Sequence, residues 1–334
     1  MRLFLACALL LSSPALRADL FSDHDSSPLT GIFGLPDALE SGELLAKGRS
    51  SFEFNLQTAS HSVGEEAGLE TLIVDGETSR IDLLWKRGIG DRLELGVEIP
   101  WLTHQAGGLD SVIDEWHSIF GLPEGERPER PRDLLEFVYA DADGVGLNRT
   151  ARSNGIGDLR VTLGYRLSST PIDSKGGARH TALRFGLKLP TGDDANLHGS
   201  GGTDVSVGIA GDYLGLGRHG SWSAYYRLHG TYLGEPRFLR RRHESIVAQA
   251  VGGLSWRPHD VVSLTAQLAL RSGLYDSDIE MLGGPAMSLT FGALFRVGER
   301  VELSLAVGED VIVESTPDVT FQLGVRLLPS ETDR

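Results

Sequence analysis

The sequence has very little cysteine and a deficit of basic residues. Cys7 is the single cysteine among 334 residues, so neither a disulfide framework nor a cysteine-rich metal site can form within one chain. The 31 basic residues are outnumbered by 46 acidic ones, which gives a net charge of −15. Such a chain repels the phosphates of nucleic acid, and this excludes nucleic acid as an expected partner.

Long apolar runs and familiar catalytic motifs are also missing. After the first eleven residues, no segment approaches the roughly 20 apolar residues that a membrane-spanning helix needs. The motifs GxSxG and HExxH and the phosphate-binding glycine loop do not occur, so the sequence predicts no cofactor. Acidic residues at 141–144 and 276–280 complete no calcium-binding loop, and no metal site is predicted.

The N-terminus has the three-part layout of a secretory signal peptide. Met1 and Arg2 precede the apolar run 3–11, which is followed by the small-residue stretch 12–15. We expect a signal peptide over residues 1–18 with cleavage after Ala18, although a cut after Ala15 also satisfies the small-x-small pattern. Either cut removes Cys7, so the mature chain is expected to contain no cysteine.

After Gly48 the dominant pattern is an alternation of apolar and polar residues with period two. In residues 52–57, for example, phenylalanine and leucine alternate with glutamate, asparagine and glutamine. This period is typical of β-strands with one apolar face. Twelve such segments follow one another, beginning near residues 52, 81, 93, 159, 183, 205, 222, 246, 262, 287, 301 and 319.

The connections between these segments distinguish a soluble sandwich from a membrane barrel. Every second connection is short on average, and those at 88–91, 257–260 and 297–300 are tight turns. The others, including 61–77 and 103–157, are longer and more polar. Short periplasmic turns opposite long external loops, together with an even number of strands, are typical of outer-membrane barrels.

The sequence therefore predicts an all-β fold, an antiparallel transmembrane β-barrel of about 12 strands. We expect the barrel over residues 48–328, a periplasmic N-terminal segment over 19–47 and a C-terminal tail over 329–334. Within the long external loop, an apolar stripe over residues 110–120 predicts a short helix.

Several short motifs resemble those of a known family. They are Pro28-Leu29 with Gly34-Leu35-Pro36, Gly121-Leu122-Pro123, Gly155-Ile156-Gly157-Asp158-Leu159 and Leu189-Pro190-Thr191-Gly192-Asp193. Together they resemble an uncharacterised Gram-negative outer-membrane β-barrel family, a domain of unknown function. The last two are also similar to motifs in outer-membrane barrels of the phenol-degradation meta-pathway.

The resemblance implies a location, but it identifies neither a substrate nor catalytic residues. It implies the outer membrane of a Gram-negative bacterium, contact with outer-membrane lipid and lipopolysaccharide, and insertion by the barrel assembly machinery. The last strand departs from the usual pattern, because outer-membrane barrels generally end in an aromatic residue and this strand ends in Leu327-Leu328.

If the apolar face meets lipid, the opposite face lines the lumen. That face carries twelve basic residues against seven acidic ones, although the whole chain is acidic. One interpretation is an anion-attracting pore, and the other is an interior filled with paired charges. The basic residues that we expect to line the lumen are Arg80, Arg160, Arg166, Arg184, Lys188, Arg227, Arg271, Arg296 and Arg326.

Three classes of function remain open from the sequence. The first is a passive channel for a small solute, for example an anionic or aromatic one, or a structural envelope protein. The second is an outer-membrane enzyme such as a lipid hydrolase, in which lumenal His229 would act with an inward serine. The third is a soluble periplasmic β-protein.

The alternation of short and long connections predicts which residues lie outside the cell. A cysteine that replaces Gly125, in the longest loop, should react with a membrane-impermeant thiol reagent on intact cells. The mature chain offers no competing thiol, which makes the labelling specific. Labelling that requires disruption of the outer membrane would contradict this topology.

Overall fold

The computed structural model describes residues 17–108, 134–172, 177–217, 221–240, 242–311, 317 and 319–329. Most of the expected signal peptide, residues 1–16, and the expected loop helix over 110–120 lie outside these residues. Across the ranges just given, no helix has both the length and the apolar character needed to cross a membrane.

The described part of the chain contains fifteen β-strands. They are β1 (Ser50–Ala67), β2 (Glu70–Gly88), β3 (Leu93–Gln105), β4 (Glu136–Asp141), β5 (Gly144–Arg149), β6 (Ser153–Ile156), β7 (Leu159–Pro171), β8 (Ala178–Leu189), β9 (Asp204–Leu216), β10 (Trp222–Tyr232), β11 (Ile246–His259), β12 (Val262–Arg271), β13 (Ala286–Val297), β14 (Val301–Asp310) and β15 (Val319–Leu327). A 3₁₀ turn at Asp194–Asn196 and one short helix, α1 (Glu280–Gly283), complete these elements.

Twelve of the strands form a closed antiparallel barrel, which confirms the fold predicted from the sequence. Each of β1 to β3 and β7 to β15 pairs with its neighbour in this series. The barrel closes where β15 pairs with β1, from Phe52 opposite Leu327 to Ser60 opposite Val319. Closure leaves the barrel without free strand edges. The three remaining strands extend the sheet at one end.

The two faces of the barrel differ as the alternation predicts. Apolar side chains point outward and are exposed, among them Phe52, Leu83 and Leu305, each with more than half of its surface accessible. Polar side chains point inward and are buried, as Asp82 and Glu302 show. A wall that is apolar outside and polar inside suits a barrel that lipid surrounds.

The expected external loop over residues 61–77 is wrong, because β1 and β2 form one long hairpin. The ladder runs without interruption from Ser50 opposite Arg87 to Ala67 opposite Glu70, and Gly68, with φ +60°, lies in the turn. The acidic and small residues of this stretch resemble a loop in sequence. Pairing with other strands overrides such local preferences, since strand propensity depends strongly on context.

The connections define two ends of the barrel. At the turn end, β2 is followed by β3, β7 by β8, β9 by β10, β11 by β12, and β13 by β14. The loop end carries the longer connections and the long β1–β2 hairpin, which β4 extends by pairing with residues 71–75 of β2. Strand β6 pairs with the last residues of β3 at the same end.

Residues 18–46 form a plug segment inside the barrel, whereas we expected a periplasmic segment over residues 19–47. The segment runs from the turn end, where Asp19 binds Arg296, to the loop end, where a turn joins Ser27 to Gly31. It then returns along the wall, and the Leu45 amide donates to Glu94 near the turn end. The physical reason is complementarity, because its carboxylates meet basic side chains of the inward face.

An apolar cluster closes the loop end around the tip of the plug segment. Leu29, Phe33 and Leu35 pack there with apolar side chains of β1, β2 and β4 and of the external connections. The rings of Phe33 and Tyr275 lie 5.5 Å apart, and the Tyr275 hydroxyl donates to the carbonyl oxygen of Leu29. The cluster resembles a small protein core, and it covers the lumen on this side.

A closed barrel with an apolar outer surface should resist unfolding in mild detergent. We expect the purified mature protein to require detergent for extraction and to migrate faster on unboiled electrophoresis gels than after boiling. Boiling breaks the barrel's hydrogen-bond ladder and expands the chain. Recovery from the periplasm as a detergent-free monomer, with the same migration before and after boiling, would contradict the membrane barrel.

Candidate functional site

The candidate functional site is the barrel interior between the wall and the plug segment. Seven of the nine expected lumenal cations are buried, and Arg166 and Arg326 are half-buried. These side chains come from seven strands, and the period-two alternation directs all of them to the same side of the wall. The structure thus brings them together around the plug segment.

Most of these cations bind carboxylates of the wall itself. Arg227 Nη2 lies 2.9 Å from Asp212 Oδ1, and both side chains are fully buried. Lys188 Nζ lies 2.8 Å from Asp158 and 2.9 Å from Asp204. Charges at such depth require partners, because an unpaired buried ion is very costly.

The plug segment supplies the remaining partners. Arg296 binds Asp19 at 2.6 Å, Arg271 binds Asp25 at 2.9 Å, and Arg160 binds Glu40. The segment brings six carboxylates into the lumen, namely Asp19, Asp23, Asp25, Asp37, Glu40 and Glu43. Carboxylates of the wall and of the plug segment thus pair with most of the inward cations, and the structure favours the interpretation of paired charges over that of an anion-attracting pore.

One buried cluster joins the plug segment to β2 and β3. Arg80 donates to Asp82 at 2.8 Å and to Glu98 at 2.8 Å, and His24 Nε2 lies 3.1 Å from Glu98. Burial and Arg80 lower the pKa of His24, but the carboxylates of Asp37 and Glu98 outweigh them and raise it. A protonated His24 would thus strengthen the attachment of the plug segment.

The same cluster contains a possible set of metal ligands. Ligand atoms of His24, Asp82 and Glu98 lie within 4.8 Å of one another. However, the guanidinium of Arg80 already binds both carboxylates and occupies the position of a cation between them. The ion pairs with Arg80 explain why these carboxylates lie close together, so we assign no metal to the cluster.

Cavities between the plug segment and the wall lie near both ends of the barrel. Near the loop end, a cavity of about 60 Å³ is lined by Asp23, Asp25, Gln249, Arg271 and Glu309, among others. Burial, together with the neighbouring Asp37 carboxylate, raises the pKa of Asp23 to about 7. Near the turn end, a cavity of about 400 Å³ lies beside the plug segment, and we call it the vestibule.

The enzyme hypothesis built on His229 finds no support in the interior. His229 is buried, and its Nε2 has no hydrogen-bond partner among the described residues. Near the loop end, Ser153 Oγ lies 3.1 Å from His198 Nε2, a pair that the sequence analysis missed. Within the described ranges, no carboxylate binds the other ring nitrogen of His198, so the orienting acid of a catalytic triad is missing there.

The basic external connection at residues 237–242 is paired with acidic neighbours. Arg242 lies 2.6 Å from Glu70, and Arg240 binds Glu235 on the same connection. Arg237 lies 3.4 Å from Asp194.

Sequence reasoning missed the plug segment, although a signal for it was present. Residues 19–43 carry six carboxylates and no lysine or arginine, while the inward face of the barrel has an excess of cations. Inward glycines are a second signal, because they leave room for large groups. A Cβ at Gly292 would come within 2.5 Å of the Phe21 ring, which belongs to the plug segment.

A protein family and several solved structures resemble this chain. A sequence profile described as "Protein of unknown function (DUF3187)" matches residues 3–327. No curated protein matches the chain significantly by sequence. Among solved structures, the COG4313 outer membrane channel from Pseudomonas putida F1 is similar, with a TM-score of 0.51 and 15% identity over 86% of this chain and 97% of that one. At this identity the likeness extends to the fold alone.

Two porins show weaker similarity. NanC matches with a TM-score of 0.45 and 8% identity, covering 84% of this chain and 99% of its own. KdgM matches with a TM-score of 0.42 and 9% identity, covering 83% of this chain and 98% of its own.

Removal of one partner from a buried ion pair of the interior should lower the stability of the protein strongly. Arg227→Met leaves Asp212 buried without its guanidinium, and we expect a loss of about 3–5 kcal/mol in the free energy of unfolding. The matched control Arg240→Met removes an exposed pair. It should not change the urea concentration at which half of the protein is unfolded, measured from the folded band on unboiled gels. Equal midpoints for the two variants would show that the interior pairing contributes no special stability.

Proposed function

The chain belongs to the DUF3187 family, and we propose that it is an outer-membrane channel for a small solute whose lumen is closed by the plug segment. Its outward apolar belt and polar interior support the location. The protein from Pseudomonas putida F1 that shares the fold is an outer membrane channel, which agrees with this proposal.

The observation that carries the proposal is that the lumen is filled by a segment that is not part of the wall. Barrels of eight strands are filled by their own side chains, and those of 16 or more leave an aqueous channel. A barrel of twelve strands lies between these limits, and here the plug segment takes up the space. It forms no strand of the sheet, so it can move while the ladder of the barrel stays intact.

The plug segment is attached to the wall by separate contacts of its side chains and backbone, and one of them, at Gly34, can be tested by a single substitution. Gly34 lies close to Lys188, and the backbone amide of Gly34 donates to Asp204 Oδ2 at 2.7 Å. A Cβ at Gly34 would lie 2.5 Å from the Cβ of Lys188, so a larger residue cannot fit in the present position. This contact lies on the wall of β8 and β9, near the loop end.

Substitution of Gly34 should open the lumen. In planar bilayers we expect the wild-type protein to conduct rarely and Gly34→Leu to conduct often, because the leucine displaces the plug segment from Lys188. The matched control is Gly230→Leu in β10, where a Cβ would have no atom within 4 Å. It should behave like the wild type, and faster migration before boiling would show that both variants are assembled.

The outcomes separate a channel from a structural envelope protein. If neither the wild type nor Gly34→Leu conducts while both are assembled, the interior is permanently closed and the protein has a structural role. If the wild type conducts as much as Gly34→Leu, the plug segment does not close the lumen. The orientation that we propose puts the turn end, and with it the vestibule, on the periplasmic side.

A further inference from the structure

The vestibule differs from the rest of the interior in its charge balance. It has a volume of about 400 Å³ and is lined by residues 17–20, 39–46 and 49, by the ends of β1, β2, β3, β7, β8 and β15, and by residues 328–329. Pockets that bind small molecules begin at about 300 Å³, so the vestibule is large enough for a small solute.

Two cations of the vestibule have carbonyl partners. Lys86 Nζ donates to the carbonyl oxygen of Leu39 at 2.8 Å. Arg166 donates to the carbonyl oxygens of Asp91 and Leu44, at 2.9 and 3.1 Å. In the described part of the chain, no carboxylate oxygen lies within ion-pair distance of either side chain. A carbonyl satisfies a donor but does not neutralise its charge.

Two of the three carboxylates that line the vestibule bind cations other than Lys86 and Arg166. Glu53 binds Arg326 at 2.9 Å, and Glu94 binds Arg184 at 2.8 Å. The third, Glu43, belongs to the plug segment, and burial together with Asp212 raises its pKa. Lys86 and Arg166 therefore line the cavity without an ion-pair partner among the described residues, and the low polarity of the walls strengthens their field.

We propose that the vestibule is a binding site for a small oxyanion, a phosphate or carboxylate group held by Lys86 and Arg166. The two side chains are already anchored by backbone carbonyls, so little side-chain entropy is lost when an anion binds. Arginine offers several donors in a planar fork that matches both kinds of oxyanion, and lysine adds a point charge. The site exists in the closed barrel, so it does not depend on conduction.

The test uses inorganic phosphate as the probe and the full mature protein in non-ionic detergent. Isothermal titration should show binding to the wild type, and Lys86→Gln and Arg166→Gln should each weaken it by about tenfold or more. Lys86→Arg keeps the charge and should retain most of the affinity. The matched control is Arg87→Gln, since Arg87 is the exposed, outward neighbour of Lys86 and should not affect binding.

Lipid headgroups offer the same phosphate chemistry, and a second arm separates the two sources. Binding of phosphate to the protein in nanodiscs of phosphatidylcholine and of phosphatidylglycerol should be equal if the ligand is a soluble anion. If phosphate binds more weakly in phosphatidylglycerol nanodiscs than in phosphatidylcholine nanodiscs, the phosphatidylglycerol headgroup is the competing occupant of the same site.

Two results would overturn the proposal. One is the absence of phosphate binding by assembled wild-type protein. The other is binding that persists unchanged in assembled Lys86→Gln and Arg166→Gln. Each can be distinguished from a failure of the channel hypothesis, because titration does not require the plug segment to move.

Discussion

The pairing of charges between the plug segment and the barrel wall is the interaction on which the interior depends. A buried charge without a partner is too costly to retain, and several buried cations of the wall bind carboxylates of the plug segment. Asp19, Asp25 and Glu40 bind Arg296, Arg271 and Arg160 from outside the sheet. The barrel and its first residues therefore form one electrostatic unit.

A second constraint acts at the loop end, where the contacts are apolar. Leu29 and Phe33 at the tip of the plug segment enter a core formed by the long β1–β2 hairpin and the external connections. Burial of this surface holds the tip through the hydrophobic effect, whereas ion pairs hold the two legs. The difference matters for opening, because apolar contacts and ion pairs respond differently to salt and pH.

The two ends of the lumen consequently have different chemical character. The loop end is covered by an apolar core above a small cavity with several carboxylates. The turn end opens into the vestibule, where Lys86 and Arg166 have no ion-pair partner among the described residues. An anion that entered the vestibule would meet these two cations beside the plug segment.

The sequence by itself determined the barrel. Period-two alternation decides which side chains point outward, and alternating connection lengths decide the up-and-down order, since both are local properties of the chain. Only the tertiary structure decided that residues 61–77 continue a ladder and that residues 18–46 fill the lumen. The plug segment has no periodicity, and its place depends on partners as distant in sequence as Arg271 and Arg296. Charge complementarity of that kind arises only once the strands have closed, so no local pattern could reveal which carboxylate meets which cation.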